Sequence, residues 1–369
     1  MINQVIATFR KHQLAVSREA ILVVFTAVLS WALILAQPAR AQELPSLNIN
    51  GNLVTVSGLS SGAFMAVQMH TAFSDRIQGA GVVAGGPYYC AEGDLSKALT
   101  TCMRPTTMPM TMPEPEPISM PIPVLSEPPD GRELAAMARR FADEGQIDPT
   151  SNLMDDSVYL FSGTMDYTVY TSVVDAAQDF YKALGVPSNK VEYIQSIPAG
   201  HAFITTAQGN QCFLTLSPYI NDCDYDQAGD ILKHLLGELN PPSATLSGQF
   251  VEFYQDEFID NPNAHGMAHK GYVYIPKVCA NGEACKLHIA LHGCQQSYEE
   301  IGNEYYTHTG YNEWADSNNI VVLYPQAHAM SGNPNGCWDW WGYTNNEYAF
   351  KTGSQTSAII KMVDRLASG

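Results

Sequence analysis

Apolar and polar positions along the chain follow two periods, which together predict an alternation of strands and helices. Short runs of β-branched and apolar residues predict buried strands, whereas apolar residues three or four positions apart predict amphipathic helices. Strands are predicted at residues 53–57, 79–86, 158–161, 191–197, 249–254, 271–275, 287–291 and 320–324. Helices are predicted at residues 61–73, 132–143, 169–184, 226–239, 311–318 and 355–366. This alternation favours an α/β fold with a mostly parallel sheet flanked by helices.

The first predicted strand ends in Gly58-Leu59-Ser60-Ser61-Gly62, which leads directly into a helical pattern. A Gly-x-Ser-x-Gly motif between a strand and a helix is typical of the nucleophile turn of an α/β-hydrolase, so Ser60 is the predicted nucleophile. Gly58 and Gly62 leave room for the neighbouring backbone at this turn. The first N–H groups of the helix, beginning with that of Ser61, would face the negative charge that develops during acyl transfer.

Two later loops carry residues that would complete a catalytic triad. Asp166 follows the third predicted strand, and His201 follows the fourth. The chain order of serine, acid and histidine is that of the α/β-hydrolases. Asp155 and Asp156 precede their strand and are poorer candidates for the acid. His292 is an alternative base, although its loop is expected to supply backbone rather than side chain.

The predicted strand at 287–291 runs into His292-Gly293-Cys294, which has the His-Gly form of the loop that supplies a second oxyanion-binding N–H in this fold. In the usual chain order this loop precedes the nucleophile, whereas here it follows all three triad candidates. We therefore predict a circularly permuted α/β-hydrolase fold in which both halves form one sheet, with the junction at about 240–247. Two separate domains would leave each half with an open sheet and half a site.

Residues 1–41 have the composition of a secretory signal peptide. Basic residues precede an apolar run at 20–36, and Ala39-Arg40-Ala41 matches a cleavage site. Cleavage there would leave one catalytic domain at 42–369, secreted to the extracellular space or the periplasm. An uncleaved anchor is the alternative, because the apolar run reaches the lower limit of a membrane span.

The net charge narrows the range of partners. The sequence has 19 basic and 37 acidic residues, of which four basic and one acidic lie in the leader, so residues 42–369 carry a net charge of −21. Such a charge disfavours nucleic acid and anionic membrane surfaces as partners.

All eight cysteines follow residue 41, and an even number in an exported chain predicts disulfides. Three pairs are close in sequence, which leaves Cys294 to pair with Cys337. The close pairs are Cys90 with Cys102, Cys212 with Cys223, and Cys279 with Cys285. A zinc site is the weaker interpretation, because the chain has no Cys-x-x-Cys motif.

Residues 103–129 contain nine prolines and five methionines, a composition that cannot continue a helix or a sheet. We interpret this segment as an extended surface loop. It is either an inert insertion or an adaptable apolar surface for a substrate.

Six stretches spread over residues 47–367 carry a more specific signal. They are the turn at Ser60, Ala199-Gly200-His201-Ala202-Phe203, Leu291-His292-Gly293-Cys294, Tyr311-Asn312-Glu313-Trp314-Ala315-Asp316, Leu323-Tyr324-Pro325-Gln326 and Asn333-Pro334-Asn335-Gly336-Cys337-Trp338-Asp339-Trp340. With these motifs the chain resembles secreted short-chain-length polyhydroxyalkanoate depolymerases of the permuted single-domain type. The resemblance implies a triad of Ser60, Asp166 and His201, and oxyanion N–H groups on Ser61 and Cys294.

The resemblance also implies that Trp338, Trp340 and Trp341 line a polymer cleft, with the Cys294 to Cys337 disulfide joining that wall to the oxyanion loop. Because three indoles within four residues can hardly all point inward, at least one is expected to be exposed.

We therefore expect a monomeric serine esterase that cleaves poly(3-hydroxybutyrate)-type polyesters through an acyl-enzyme, without a metal or an organic cofactor. No separate polymer-binding domain is recognised after the catalytic one, so soluble oligomers are an alternative substrate. A feruloyl or acetylxylan esterase is an alternative of the same class, because such enzymes share the His-Gly-Cys and Cys-Trp-x-Trp stretches. A non-catalytic surface-binding protein is an alternative of another class, in which Ser60 would not react with an organophosphonate.

Overall fold

The computed structural model describes residues 42–106 and 126–369, and a twisted sheet runs through its centre. The strands within these residues are β1 (Ile49–Leu59), β2 (Ile77–Val83), β3 (Ser157–Phe161), β4 (Val191–Ile194), β5 (Phe203–Thr205), β6 (Asn210–Gln211), β7 (Ile220–Asp222), β8 (Gln249–Tyr254), β9 (Lys270–Ile275), β10 (Cys285–Leu291) and β11 (Ile320–Tyr324). The central sheet has eight of them in the order β4-β3-β2-β1-β10-β11-β9-β8. The first six strands in this order, from β4 to β11, run parallel to one another. Strand β9 is antiparallel to β11, and β8 at the far edge is antiparallel to β9.

Helices pack against this sheet and connect its parallel strands. The α-helices of the described residues are α1 (Ser61–Ala72), α2 (Leu95–Leu99), α3 (Gly131–Asp143), α4 (Thr171–Leu184), α5 (Gln227–Leu236), α6 (Lys277–Ala280), α7 (Tyr298–Ile301), α8 (Glu304–His308), α9 (Tyr311–Asn318) and α10 (Ser354–Leu366). Short 3₁₀ helices occur at Thr150–Asp155, Ser188–Lys190, Gln255–Glu257 and Pro262–His265. Within the described residues, no helix combines the length and apolarity needed to cross a membrane.

The boundaries of the helices follow from identifiable caps. Helix α3 begins after Asp130, whose carboxylate accepts hydrogen bonds from the N–H groups of Arg132 and Glu133. Helix α4 was predicted from residue 169 but begins two residues later, because the Asp166 carboxylate binds the Val169 N–H outside the helix. Helix α5 ends at Leu236, before the predicted 239, because Gly237 has a φ of 84°.

Strand β1 lies between the two halves of the chain. Ser57 of β1 is in register with Gly81 of β2 on one side and with Ala290 of β10 on the other. The two halves thus build one sheet, which the permutation hypothesis requires, and residues 240–247 lie in the connection from α5 to β8.

One part of the fold was not predicted. The fourth strand ends at Ile194, short of the predicted 197, and the chain then enters an excursion that contains a small parallel sheet of β5, β7 and β6. These strands have only two or three residues each, too few to give a readable alternation of polar and apolar positions.

Four disulfides join the pairs that the sequence predicted. They are Cys90–Cys102, Cys212–Cys223, Cys279–Cys285 and Cys294–Cys337. The last has the longest loop, with a sequence separation of 43 residues.

Two predictions fall on residues that are not described. The signal peptide at 1–41 lies entirely outside the described residues, and so does most of the Pro/Met-rich segment, at 107–125. The described ends of that segment, Thr106 and Ser126, form an antiparallel bridge with N–O distances of 3.0 and 3.3 Å.

Candidate active site

Ser60 lies at the sharp turn between β1 and α1. Its backbone has a φ of 57° and a ψ of −121°, a conformation that non-glycine residues rarely adopt. The N–H of Ser60 donates to Val83 O at 2.9 Å, and its carbonyl accepts from Phe64 N at 3.0 Å, so both ends of the turn are held. Strain at one residue, fixed by the strand and helix around it, holds the side chain at the carboxyl end of the sheet.

Only glycine fits on either side of this serine. A Cβ atom on Gly58 would lie 2.3 Å from the carbonyl carbon of Gly62, and one on Gly62 would lie 2.3 Å from Leu291 O. These neighbours are backbone atoms that cannot move aside. The motif therefore serves two contacts at once, between strand and helix and between helix and the oxyanion loop.

His201 and Asp166 form a buried pair behind the turn. His201 Nδ1 donates to Asp166 Oδ2 at 2.8 Å, and the Asp166 side chain is only 1% exposed. The other carboxylate oxygen accepts from the N–H groups of Thr168 and Val169 at 2.8 and 3.0 Å. Asp166 is thus fixed by three hydrogen bonds, and it orients the imidazole so that Nε2 is free for another partner.

The unpredicted excursion after β4 holds the histidine. The His201 N–H donates to Thr215 Oγ1 at 2.9 Å, and the Gly200 N–H donates to Cys212 O at 2.8 Å. The Cys212–Cys223 disulfide closes this segment. The small sheet therefore has a clear role, which is to support the loop that carries His201.

Two cavities meet at Ser60. The first cavity, here called the apolar cavity, has a volume of about 290 Å³. Most of its lining is hydrophobic and includes Phe64, Leu95, Leu99, Val169, Trp340 and Trp341. The other, of about 310 Å³ and here called the polar cavity, is lined among others by His201, Arg104, Thr168, Thr215, Tyr219 and Gln295. Ser60 and Cys294 line both, so the serine stands where two different environments join.

The predicted oxyanion loop reaches this junction. Gly62 abuts the carbonyl groups of Leu291 and His292, which brings the start of α1 against the loop that carries Cys294. Among the described residues, no hydrogen-bond acceptor of the protein faces the N–H of Ser61 or that of Cys294. Cys294 lines both cavities together with Ser60, and Ser61 begins the helix directly after the serine, so their N–H groups remain the predicted oxyanion donors.

His292 is a structural residue of this loop. Its ring is fully buried, with Nδ1 donating to Gly293 O at 2.7 Å and Nε2 accepting from Ala327 N at 3.0 Å. Burial lowers the pKa of His292 to about 4, so the ring is neutral at pH 7. Because both ring nitrogens bind backbone and neither faces a cavity, the geometry disfavours His292 as the base.

Sequence reasoning missed Gln296. This side chain is 1% exposed, accepts from Gly293 N at 2.8 Å and donates to the carbonyls of Pro218 and Tyr219 at 2.9 and 3.0 Å. It thereby joins the oxyanion loop to the segment that supports His201. No local pattern marks it, because two of its three partners, Pro218 and Tyr219, lie more than 70 residues away.

The expectation of an exposed tryptophan was wrong. Trp338, Trp340 and Trp341 are all buried, at 0, 5 and 9% exposure. Trp338 lies beneath the oxyanion loop, where its Nε1 donates to His292 O, and it lines neither cavity. Trp340 stacks on Phe64 with ring centroids 4.0 Å apart and, with Trp341, forms a wall of the apolar cavity.

The three indoles find separate neighbours because residues 338–343 turn sharply around a buried carboxylate. Asp339 accepts from the N–H groups of Gly342, Tyr343 and Thr344. Burial raises the pKa of Asp339, and these hydrogen bonds oppose that shift. Metal-binding side chains are not clustered at the site, since no group of three or more such residues occurs in the described chain.

A strained serine between a parallel strand and a helix, an adjacent histidine and acid, and a His-Gly loop at the same sheet edge define a protein of the α/β-hydrolase type. Comparisons with known proteins give a narrower result. The chain is 46% identical over 335 residues to a poly(3-hydroxybutyrate) depolymerase of Delftia acidovorans, covering 89% of this chain and 62% of that protein. It is 38% identical over 359 residues to a polyhydroxybutyrate depolymerase of Talaromyces funiculosus, covering 92% and 97%. The chain belongs to the polyhydroxybutyrate depolymerase family.

Solved structures agree with this placement. The crystal structure of a PHB depolymerase from Penicillium funiculosum matches with a TM-score of 0.76 at 36% identity, covering 89% of this chain and 99% of that one. A PHB depolymerase with a serine replaced by alanine, complexed with an R3HB trimer, matches over the same shares with a TM-score of 0.75 at 36% identity. No family model matches the sequence. The chain spans 62% of the length of the Delftia protein, so that protein extends beyond the region compared.

Proposed function

We propose that this protein hydrolyses the ester bonds of poly(3-hydroxybutyrate)-type polyesters or their oligomers. The observation that carries the proposal is the strained Ser60 turn, which faces a cavity shared with His201 while Asp166 holds the imidazole. Relatives named as depolymerases of this polymer support the choice of substrate. So does the R3HB trimer in a similar structure.

In this mechanism Ser60 Oγ attacks the ester carbonyl and passes its proton to His201 Nε2. The imidazolium is stabilised by Asp166, and it then protonates the leaving alkoxide. The N–H groups of Ser61 and Cys294 stabilise the oxyanion of the tetrahedral intermediate. Water, deprotonated by His201, then cleaves the acyl-enzyme and releases a carboxylic acid.

The two cavities take different parts of the substrate. Because the leaving alkoxide must lie within reach of the His201 proton, it occupies the polar cavity, which His201 lines. The acyl part that stays bonded to Ser60 occupies the apolar cavity, against Trp340 and Trp341. Trp338, which lines neither cavity, contributes packing rather than substrate contact.

The proposal also extends to the organisation of the chain. Residues 1–41 act as a signal peptide, and residues 42–369 form one secreted, monomeric catalytic domain. Its chain order is a circular permutation of the usual hydrolase order. The disulfides fit an oxidising compartment, in which such bonds persist.

Covalent labelling and product analysis test the proposal together. A fluorescent alkylphosphonate should label the wild-type protein at Ser60, located by peptide mass spectrometry. The same preparation should release 3-hydroxybutyrate and short oligomers from amorphous polyhydroxybutyrate. Labelling with release of ferulate from a feruloylated substrate, and no acid from the polyester, would instead support the esterase alternative. A protein that neither labels nor hydrolyses would be a binding protein.

A further inference from the structure

Arg104 gives the polar cavity a positive charge. It follows the end of α2 by five residues and Cys102 by two, and it lines the same cavity as Ser60 and His201. Among the described residues that line this cavity, none is acidic. The chain has a net charge of −18, so a cationic side chain at this cavity favours anionic ligands locally.

The guanidinium is available for a ligand. Among the described residues, no carboxylate forms an ion pair with it and no group accepts a hydrogen bond from it. Asp166, a carboxylate of the same site, is buried behind His201 with its side chain 1% exposed, so its charge is not presented to the cavity. An exposed arginine that has no partner within the described residues can meet an incoming anion at little cost of rearrangement.

The backbone beneath Arg104 is held in place. The Arg104 N–H donates to Thr100 O at 2.8 Å, and the carbonyl of the preceding residue, Met103, accepts from Tyr170 N at 2.9 Å. The disulfide at Cys102 fixes the same segment two residues earlier. The side chain therefore projects from an anchored position rather than from a free loop.

The chemistry of the leaving group identifies the anion. When an ester bond of a poly(3-hydroxyalkanoate) chain is cleaved, the acyl part keeps the hydroxyl end and the leaving alcohol carries the carboxyl end. If the bond is close to that end, the leaving group bears a carboxylate separated from the new hydroxyl by two carbons. Arginine binds carboxylates through two parallel hydrogen bonds.

We propose that Arg104 binds the terminal carboxylate of the leaving hydroxy acid and so makes the enzyme select oligomers, and chain ends, with a free carboxyl group. The inference rests on the proposed function and deepens it, because it assigns the polarity with which the substrate lies across Ser60. Arg104 is a specificity residue. The reaction itself is still carried out by Ser60, His201 and Asp166.

The test compares two trimers of 3-hydroxybutyrate, one with a free terminal carboxylate and one with a terminal carboxamide. The carboxamide has nearly the same shape, is neutral and is not an ester. Wild-type protein should show a kcat/KM for the carboxylate trimer at least about 10-fold above that for the carboxamide trimer, the usual worth of a hydrogen-bonded charge. Chromatography of the products should show release of the carboxyl-terminal unit.

Variants assign that preference to one side chain. Arg104→Gln should lower the carboxylate-to-carboxamide ratio to about 1, and Arg104→Lys should retain part of it. Lys97→Gln is the matched control, because Lys97 is an exposed cation on α2 that pairs with Glu92 and lines neither cavity. That control should keep the full ratio. In the wild type the ratio should also fall as salt is raised, since the contact is partly exposed.

The possible failures differ from one another. If the wild type hydrolyses neither trimer and releases no acid from amorphous polyhydroxybutyrate, the proposed function is wrong. If it hydrolyses the polymer but neither trimer, the proposed function stands and the selection of oligomers by Arg104 is refuted. If both are hydrolysed at equal kcat/KM, or if Arg104→Gln keeps the wild-type ratio, the hydrolase assignment stands and the role of Arg104 is refuted.

Discussion

The two cavities at Ser60 have nearly equal volumes, about 290 and 310 Å³, but they differ in the side chains that each adds. The first is almost wholly apolar, whereas the second combines apolar surface with polar and charged side chains such as those of His201 and Arg104. The repeating unit of a polyester is the same on both sides of the bond to be cleaved, so the repeat alone does not require this difference. What differs is the fate of the two sides. One stays bonded to the serine and is held by apolar contacts, whereas the other leaves as a hydroxy acid and must be protonated and solvated. The asymmetric site fits these two fates.

Replacing Ser60 removes the nucleophile, which lines both cavities. Ser60→Ala should lower turnover of every ester roughly a millionfold, because nucleophile and base act as a unit, and His201→Ala should fall nearly as far. The measurement is acid release from the 3-hydroxybutyrate trimer. Thermal unfolding should be close to that of the wild type, which checks that the fold survives. Substantial ester hydrolysis by a folded Ser60→Ala would show that another residue is the nucleophile.

Gln296→Leu tests the connection between the oxyanion loop and the segment that supports His201. Leucine cannot accept from Gly293 N or donate to the Tyr219 carbonyl, so the Cys294 N–H would lose its fixed position. We expect kcat to fall about 100-fold with little change in KM, comparable to the loss of one oxyanion donor. Tyr219→Phe removes a single hydrogen bond between the same segments and should cost much less. Equal effects of the two variants on kcat would argue against a specific role for Gln296.

Cys294→Ala separates the two functions of this residue. The backbone N–H is kept, whereas the disulfide to Cys337 is lost, and with it about 2–5 kcal/mol of stability. Activity on a small soluble ester should persist at low temperature, since both oxyanion donors remain. Activity on the polymer should fall further, because Cys337 and Trp340 form part of the apolar wall. Non-reducing peptide mapping checks the pairing, and a free Cys294 in the wild type would remove the basis of this prediction.

Acid should destabilise the fold through two buried histidines, His288 of β10 and His292 of the oxyanion loop. The pKa of His292 is lowered to about 4 by burial, and that of His288 to about 3, against an ordinary value near 6.5. Between these values the unfolded chain binds more protons than the folded one. The stability that depends on these neutral histidines is therefore fully present above pH 6.5. It is lost as the pH falls towards 4, by up to about 1.4 kcal/mol per pH unit for each histidine.

Urea unfolding at pH 7 and pH 5 measures this loss. A His292→Gln variant should be less stable at pH 7. Its free energy of unfolding should also fall less steeply with pH, by up to about 1.4 kcal/mol per pH unit, because one of the two histidines is gone. If His292→Gln and the wild type lose stability in parallel, then His292 does not titrate as described.

Leu99→Ser tests the apolar cavity with the smallest change. Leu99 is 56% exposed and lines only this cavity, so its loss should spare the fold. The KM for esters with a longer acyl chain should rise roughly 5-fold, which corresponds to part of the transfer free energy of a leucine side chain. Leu246→Ser, at an exposed leucine outside both cavities, is the control. A change in the carboxylate preference instead would mean that the two cavities are assigned to the wrong sides.

Site residues that lie just after the ends of strands could be predicted from the sequence. Because the carboxyl ends of parallel strands meet at one sheet edge, the positions of Ser60, Asp166 and His201 after their strands were enough to bring them together. The cysteine pairs were predictable from spacing. Features set by distant contacts were not, and Gln296 is the plainest example. Two of the tryptophans misled for the same reason, since Trp338 packs against His292 and Trp340 against Phe64, both far away in the chain.

The central position of β1 constrains the order in which the molecule can form. Thr55 of β1 and His288 of β10, which share a hydrogen bond, are separated by 233 residues. Strand β1 is among the first elements to be made, yet it cannot gain its second neighbour until residue 291 has been synthesised. Until then one edge of this strand is open to pairing with other chains. Contacts of such high sequence separation slow folding, so the strand that carries the nucleophile is completed late, after nearly the whole chain exists.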